Sequence, residues 1–334
     1  MSVPSDGAAA LLGQAEAERI LARDWQSGRL HHAWLLTGPV GIGKATLARR
    51  FAKTVLTGAA PEAAARRVAA GTHPDLLLVT RAIDEKRQRL RPEMVLDDVR
   101  PIGGFLHRTA AEGGWRVVIV DDADHLNRHA ANAVLKLLEE PPAKALLLLV
   151  SSAPGRLLPT IRSRCRTLRL APLDESTMHR VLCRLLPGLS LAERQTLIEL
   201  SDGSPGTALA LSADDGIALS RLVEDVLFRH GTRPALWSYE LADAVLRRDN
   251  GFSTFIGLLS AAISTTIRMA ARNDRDARAA ARDGGEARAD LLASRAPEAW
   301  AEICEELVQL REETESLNLD KRQALLAGLS LLSG

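Results

Sequence analysis

The run Gly38-Pro39-Val40-Gly41-Ile42-Gly43-Lys44-Ala45 has the G-x-x-x-x-G-K spacing of a phosphate-binding loop, set between an apolar segment and a helical one. Its chemistry would be anion binding. Glycines at 38, 41 and 43 let successive backbone N–H groups turn toward phosphate oxygens. The helix that follows adds its N-terminal dipole, and Lys44 adds a point charge. The next position ordinarily carries the Ser or Thr whose hydroxyl ligates Mg²⁺, and here it is Ala45. Thr46 stands one residue later, about 100° further round the helix axis, and is a poor substitute. A plain glycine turn that packs a helix on a sheet is the simpler alternative. The lysine in register argues against it.

A second constellation is Val117-Val118-Ile119-Val120-Asp121-Asp122, an apolar strand that ends in two acids. In a nucleotide hydrolase the first such carboxylate holds the Mg²⁺ shell and the second orients the attacking water. Glutamate is usual in the second place. Asp122 is one methylene shorter, and a positional error near 1 Å can cost about 100-fold in rate. Alone, a strand ending in solvated acids has the same appearance, so this signal takes its weight from the loop before it.

Two further runs are Asn132-Ala133-Val134-Leu135-Lys136-Leu137-Leu138-Glu139-Glu140-Pro141-Pro142 and Leu157-Leu158-Pro159-Thr160-Ile161-Arg162-Ser163-Arg164-Cys165. They resemble the "N-a-L-L-K-x-L-E-E-P-P" and "Ser-Arg-Cys" motifs of bacterial DNA polymerase III clamp loaders, which are AAA+ proteins. The resemblance implies that Arg164 is a finger acting in trans, reaching the γ-phosphate of ATP on an adjacent subunit. A permanently charged planar fork suits that task. A surface ion-pair role is the plainer alternative. Arg162 and Arg166 lie nearby and serve as comparison positions. Cys165 reads as a small buried residue rather than a nucleophile.

The likeness continues in Ser27–Leu36 before the loop, in Thr72-His73-Pro74-Asp75, and in Gly203-Ser204-Pro205-Gly206-Thr207-Ala208-Leu209, which resembles the start of the sensor-2 helix. Hydrolysing members of the family carry an arginine where Gly206 stands. Glu313–Gln323 looks like the C-terminal helix of delta-prime subunits. Ala45, Asp122 and Gly206 each remove a group that hydrolysis uses, and together they imply the delta-prime, non-hydrolysing type. The four-cysteine zinc module of many relatives is missing, since residues 55–75 contain no cysteine.

These residues need elements to hold them. Ala33–Leu36, Leu76–Val79, Val117–Val120 and Leu146–Val150 are aliphatic runs without alternation, as in strands buried on both faces of a parallel sheet. Leu47, Phe51 and Val55 recur at helical spacing, with Gly58 as a stop. A helix around Ala130–Glu139 ends before Pro141-Pro142. After about Leu170 short helices are expected at 173–186, 191–201 and 206–212. From 214 onward the periodicity is helical throughout, and Trp300, Leu307, Leu310 and Leu317 form an apolar stripe. The Ala/Arg/Asp-rich stretch 268–290 reads as solvated helix or loop rather than a DNA patch, because acids alternate with its arginines. The fold class expected is an α/β P-loop AAA+ domain (1–170) with helices on both faces of a parallel sheet. A small helical lid (171–212) and an all-helical collar for oligomerisation (213–334) would follow.

With 334 residues, 46% hydrophobic and 25% charged, the composition is that of an ordinary globular protein of two or three domains. A net charge of +1 supplies no global field toward nucleic acid or anionic lipid. The three cysteines, Cys165, Cys183 and Cys304, form no C-x-x-C pair, which argues against a zinc site or disulfide framework and fits a reducing cytosol. No signal peptide or membrane-spanning run is visible, so a cytoplasmic location is expected.

The resemblance thus implies a delta-prime-like clamp-loader subunit acting in DNA replication. Its partners would be the motor ATPase and delta-type subunits of a hetero-oligomeric ring, with the sliding clamp and primed DNA met through the complex. No cofactor is expected to be required. ATP or ADP would bind weakly at most, Mg²⁺ is doubtful, and no metal site is expected. The rivals are an ATP-hydrolysing motor subunit, which an ATPase assay separates, and another AAA+ ATPase, which the identity of its partners separates.

Overall fold

The aliphatic runs assemble into a sheet whose strands are β1 (Ala33–Thr37), β2 (Leu76–Val79), β5 (Arg116–Val120), β6 (Ala145–Ser151) and β7 (Arg166–Arg169), while β3 (Ile83–Asp84) and β4 (Arg89–Leu90) form a separate antiparallel pair. The computed structural model describes residues 13–57, 61–84, 89–112, 114–228, 236–271 and 294–332. Strand order is β2-β5-β6-β1-β7, and every neighbouring pair is parallel. Parallel pairing requires crossovers, and the helices that supply them cover both faces.

Register explains the missing alternation. Leu77, Val118, Leu147 and Ala33 stand in one row, and Val79, Val120, Leu149 and Leu35 in the next. Both rows belong to a buried cluster completed by α4 (Leu96–His107), α5 (Arg128–Glu139) and α6 (Pro159–Arg164). The opposite parity, Leu78, Ile119, Leu148 and Trp34, faces away from that cluster. There α2 (Lys44–Leu56) packs on β1, β5 and β6, with α1 (Ala15–Gln26) and α3 (Pro61–Ala69) beside it. All seven residues of β6 are buried, and each fully buried Leu or Val stabilises the fold by about 1.5–3 kcal/mol. The expected α/β architecture with helices on both faces is the one found.

Two elements run against local signals. Helix α4 contains Pro101 and Gly103-Gly104, yet Val99, Ile102 and Leu106 are buried at helical spacing. Tertiary burial outweighs the poor propensity there. Strand β7 has one buried residue, Leu168, and is held by its pairing with β1.

The chain divides into two compact units, Met1–Leu189 with Ser201–Thr207, and Ser190–Leu200 with Ala208–Gly334. The first also holds α7 (Glu175–Leu185), capped by the Asp174 carboxylate, which accepts from the Thr177 amide at 2.8 Å. The helices after it are α8 (Leu191–Ser201), α9 (Pro205–Ala213), α10 (Gly216–Phe228), α11 (Trp237–Leu246), α12 (Gly251–Ala271), α13 (Pro297–Leu317) and α14 (Lys321–Leu331). In the second unit α12 packs against α10, α11, α13 and α14 around Phe252, Phe255, Leu259, Trp300, Leu307 and Leu325. The expected stripe on α13 needs one correction. Trp300 and Leu307 are buried, but Leu317 is 67% exposed, because α13 ends there and the left-handed Asn318 turns the chain toward α14. Gly58 and most of 268–290 lie outside the described residues. Among the described residues no helix is long and apolar enough to cross a membrane.

Candidate functional site

Strand β1 delivers the chain into the glycine loop, and α2 begins at Lys44. Gly38, Gly41 and Gly43 have φ of 142°, 75° and 101°, a region that favours glycine. Lys44 is buried, and its ammonium turns back on the loop. Nζ donates to the carbonyls of Gly38 at 2.7 Å and Pro39 at 2.6 Å, and to the Ser152 hydroxyl at 2.9 Å. An ammonium has three protons, and three acceptors meet them. Burial lowers the Lys44 pKa, while the charges of Asp124, Asp121 and Asp122 act in the opposite sense.

The apex of the loop is engaged from the other side. The Ser204 hydroxyl donates to the Val40 carbonyl at 2.7 Å, and the Gly206 amide donates to the Gly41 carbonyl at 2.9 Å. A Cβ on Gly206 would lie 2.7 Å from the Gly41 Cα, and one on Gly41 would lie 2.6 Å from the Ser204 Oγ. Neither position admits a side chain without a shift.

At the metal-ligand position Ala45 presents a half-buried methyl, and Thr46 is exposed. Asp121 directly follows β5; burial, then the Asp122 charge, raises its pKa. Asp122 has a left-handed backbone, φ 58°, and its carboxylate is paired with the Arg81 guanidinium at 3.0 and 3.2 Å. The second acid is thus occupied by a cation of its own chain. A third acid, Asp124, holds the end of β6, accepting from the amides of Ser152 at 2.6 Å and Ala153 at 3.0 Å and from the Ser151 hydroxyl.

The predicted residues Gly38, Gly41, Gly43, Lys44, Asp121 and Asp122 therefore gather around the loop, while Ala45 and Thr46 add no metal-ligating geometry. At the metal-ligand position they offer a methyl, not a hydroxyl. Sequence reasoning missed Arg81, Asp124 and Ser152 as contributors. The pair Ser151-Ser152 directly after the apolar run Leu146–Val150 was a usable signal, because strand ends face the loop in a parallel sheet.

Arg164 stands apart from this cluster, as the last residue of α6. Ile161 and Cys165 turn inward, and burial pushes the Cys165 thiol up to about 12, away from nucleophilic use. The Arg164 side chain is 37% exposed. Its Nη2 donates to the Glu139 carboxylate at 2.8 Å and its Nη1 to the Thr160 carbonyl at 3.1 Å. Arg162 is exposed. Arg166 is a poor comparison position, since it pairs with Asp24 and lies 4.8 Å over the Trp34 ring.

Residues 13–174 match the family described as "DNA polymerase III, delta subunit". The DNA polymerase III subunit delta′ of Pseudomonas aeruginosa is 43% identical over 188 residues, 54% of this chain and 55% of that one. The subunit delta′ of Escherichia coli is 37% identical over 203 residues, 58% of each. The chain thus spans a little over half the length of these curated relatives. A DNA polymerase III gamma subunit-related protein of Thermotoga maritima superposes with a TM-score of 0.45 at 19% identity, covering 96% of this chain and 98% of that one.

Proposed function

We propose that this chain, which belongs to the delta-prime family of DNA polymerase III clamp-loader subunits, is a non-hydrolysing member that acts on its neighbours' ATP. In this reading it lends Arg164 in trans to an adjacent ATPase subunit and helps to place a sliding clamp on primed DNA during replication. Its partners are the motor ATPase and delta-type subunits of a hetero-oligomeric ring. The helices of 213–334 act as the collar that joins the ring, and 171–212 act as the lid. Clamp and DNA are met through the assembly.

One observation carries the reading: the Lys44 ammonium is spent on the Gly38 and Pro39 carbonyls and on Ser152. A loop saturated by its own chain, with Arg81 on the second acid and Gly206 on the apex, suits a subunit that has no turnover of its own. A motor subunit would need those groups for phosphate and water. Weak ATP or ADP binding would require the loop to open.

Purification of the chain with the other DNA polymerase III subunits of its own cell tests the reading. The expected result is a hetero-oligomer whose ATPase requires the other subunits, with none from this chain alone. Failure to assemble, or turnover by the isolated chain, overturns it.

A further inference from the structure

The Glu139–Arg164 pair joins the last residues of two helices. Glu139 closes α5, and Arg164 closes α6, which packs against α5. Glu139 Oε1 receives one arm of the guanidinium at 2.8 Å, and the Thr160 carbonyl in the first turn of α6 receives the other at 3.1 Å. Both side chains are well exposed, 43% and 37%, so the pair contributes little to stability. Its effect is on geometry. A free arginine samples many rotamers, and ordering it on contact with a ligand costs entropy. Two acceptors on packed helix ends fix the plane of the fork beforehand. Five N–H donors are available and two are used, so an edge remains for another anion. An exposed pair of this kind also gives way when phosphate oxygens pull the fork outward.

We infer that Glu139 is a positioning residue for Arg164, aiming its guanidinium at the phosphate oxygens of a nucleotide held by another subunit. This rests on the finger role proposed for Arg164, and it assigns the glutamate at the end of α5 a part in that role rather than in the helix alone.

A double-mutant cycle in the assembled complex tests it. Complexes carrying Glu139→Ala, Glu139→Gln, Arg164→Ala or Glu139→Ala with Arg164→Ala are first checked for equal assembly, and then kcat and KM for ATP are measured. Glu139→Ala is expected to lower kcat about three- to tenfold, the scale of coupling between contacting residues, with KM little changed. Glu139→Gln, which keeps one acceptor oxygen, should fall between Ala and the native residue. In the Arg164→Ala background the Glu139 substitution should have no further effect. Full kcat with Glu139→Ala, while Arg164→Ala is impaired, sinks the positioning role alone. An equal loss with and without Arg164 shows a structural effect and also sinks it. Full kcat with Arg164→Ala removes the finger reading, and this inference with it.

Discussion

The Gly206 amide donates to the Gly41 carbonyl at 2.9 Å, and the two glycines meet backbone to backbone with no room for a Cβ on either. The loop whose spacing promises phosphate is thus covered at its apex by the first turn of α9. In an open helix Gly→Ala ordinarily stabilises, by about 1 kcal/mol. Here the added methyl would lie 2.7 Å from the Gly41 Cα, and overpacking of this kind costs about 1–3 kcal/mol. Gly206→Ala is therefore expected to lower the urea midpoint. A raised midpoint would mean that this contact is loose in solution.

Restoring two of the three missing hydrolytic groups should not restore hydrolysis. Ala45→Thr with Asp122→Glu supplies a hydroxyl and a longer acid, yet Lys44 keeps its three acceptors and Arg81 remains beside the acid. Phosphate release by the doubly substituted isolated chain is expected to stay far below about 1 s⁻¹, the low end of ordinary turnover. Turnover in that range would show that the loop opens without help.

Asp121 tests the first acid by pH. Burial, then the Asp122 charge, raises its folded pKa above the ordinary carboxylate value. A raised pKa means that the folded state favours the protonated form. Its contribution is fully present below the unfolded pKa and is lost as pH rises through the folded one, so at neutral pH the charge opposes folding. Asp121→Asn keeps an oxygen for the Asp122 amide. The variant should be the more stable at pH 7, within about 1 kcal/mol, and the difference should vanish at about pH 3, below the ordinary carboxylate value of 3.8. Chemical denaturation at the two pH values measures it; a less stable Asn variant at pH 7 would refute the assignment.

The main strands could be read because burial on both faces leaves unbroken aliphatic runs, as in Leu146–Val150. Strand β7 could not, because Arg166, Thr167 and Arg169 are exposed and only Leu168 is buried. Its place comes from hydrogen bonds to β1, which leave no pattern in the residues. Helix α4 was hidden by Pro101 and its two glycines. At the site, spacing identified the glycines, Lys44 and both acids, since loop geometry is local. The direction of the Lys44 side chain was not local, as it depends on Ser152, 108 residues away, and the pairing of Asp122 depends on Arg81, 41 residues away. Arg166 lies two residues from Arg164 in sequence, yet it is committed to Asp24 and Trp34.

Arg164 carries the last prediction. Its exposed side chain makes two contacts, both replaceable by water, so Arg164→Ala should leave folding and ring assembly intact. If the guanidinium serves a neighbour's ATP, the ATPase of the whole complex should fall. Arginine fingers contribute about 10³- to 10⁵-fold in GTPases, but a ring with several sites should lose less, because its other sites keep their own arginines. Arg164→Lys should also be impaired, since an ammonium keeps the charge and loses the planar fork. Arg162→Ala is the control, for it removes a neighbouring exposed charge from the same helix without touching Glu139. Equal losses at 162 and 164 would indicate a general effect of positive charge. A loss confined to 164, shared by Ala and Lys, requires the fork itself. A complex with Arg164→Ala that assembles and keeps its full clamp-stimulated ATPase would return this residue to a purely structural role.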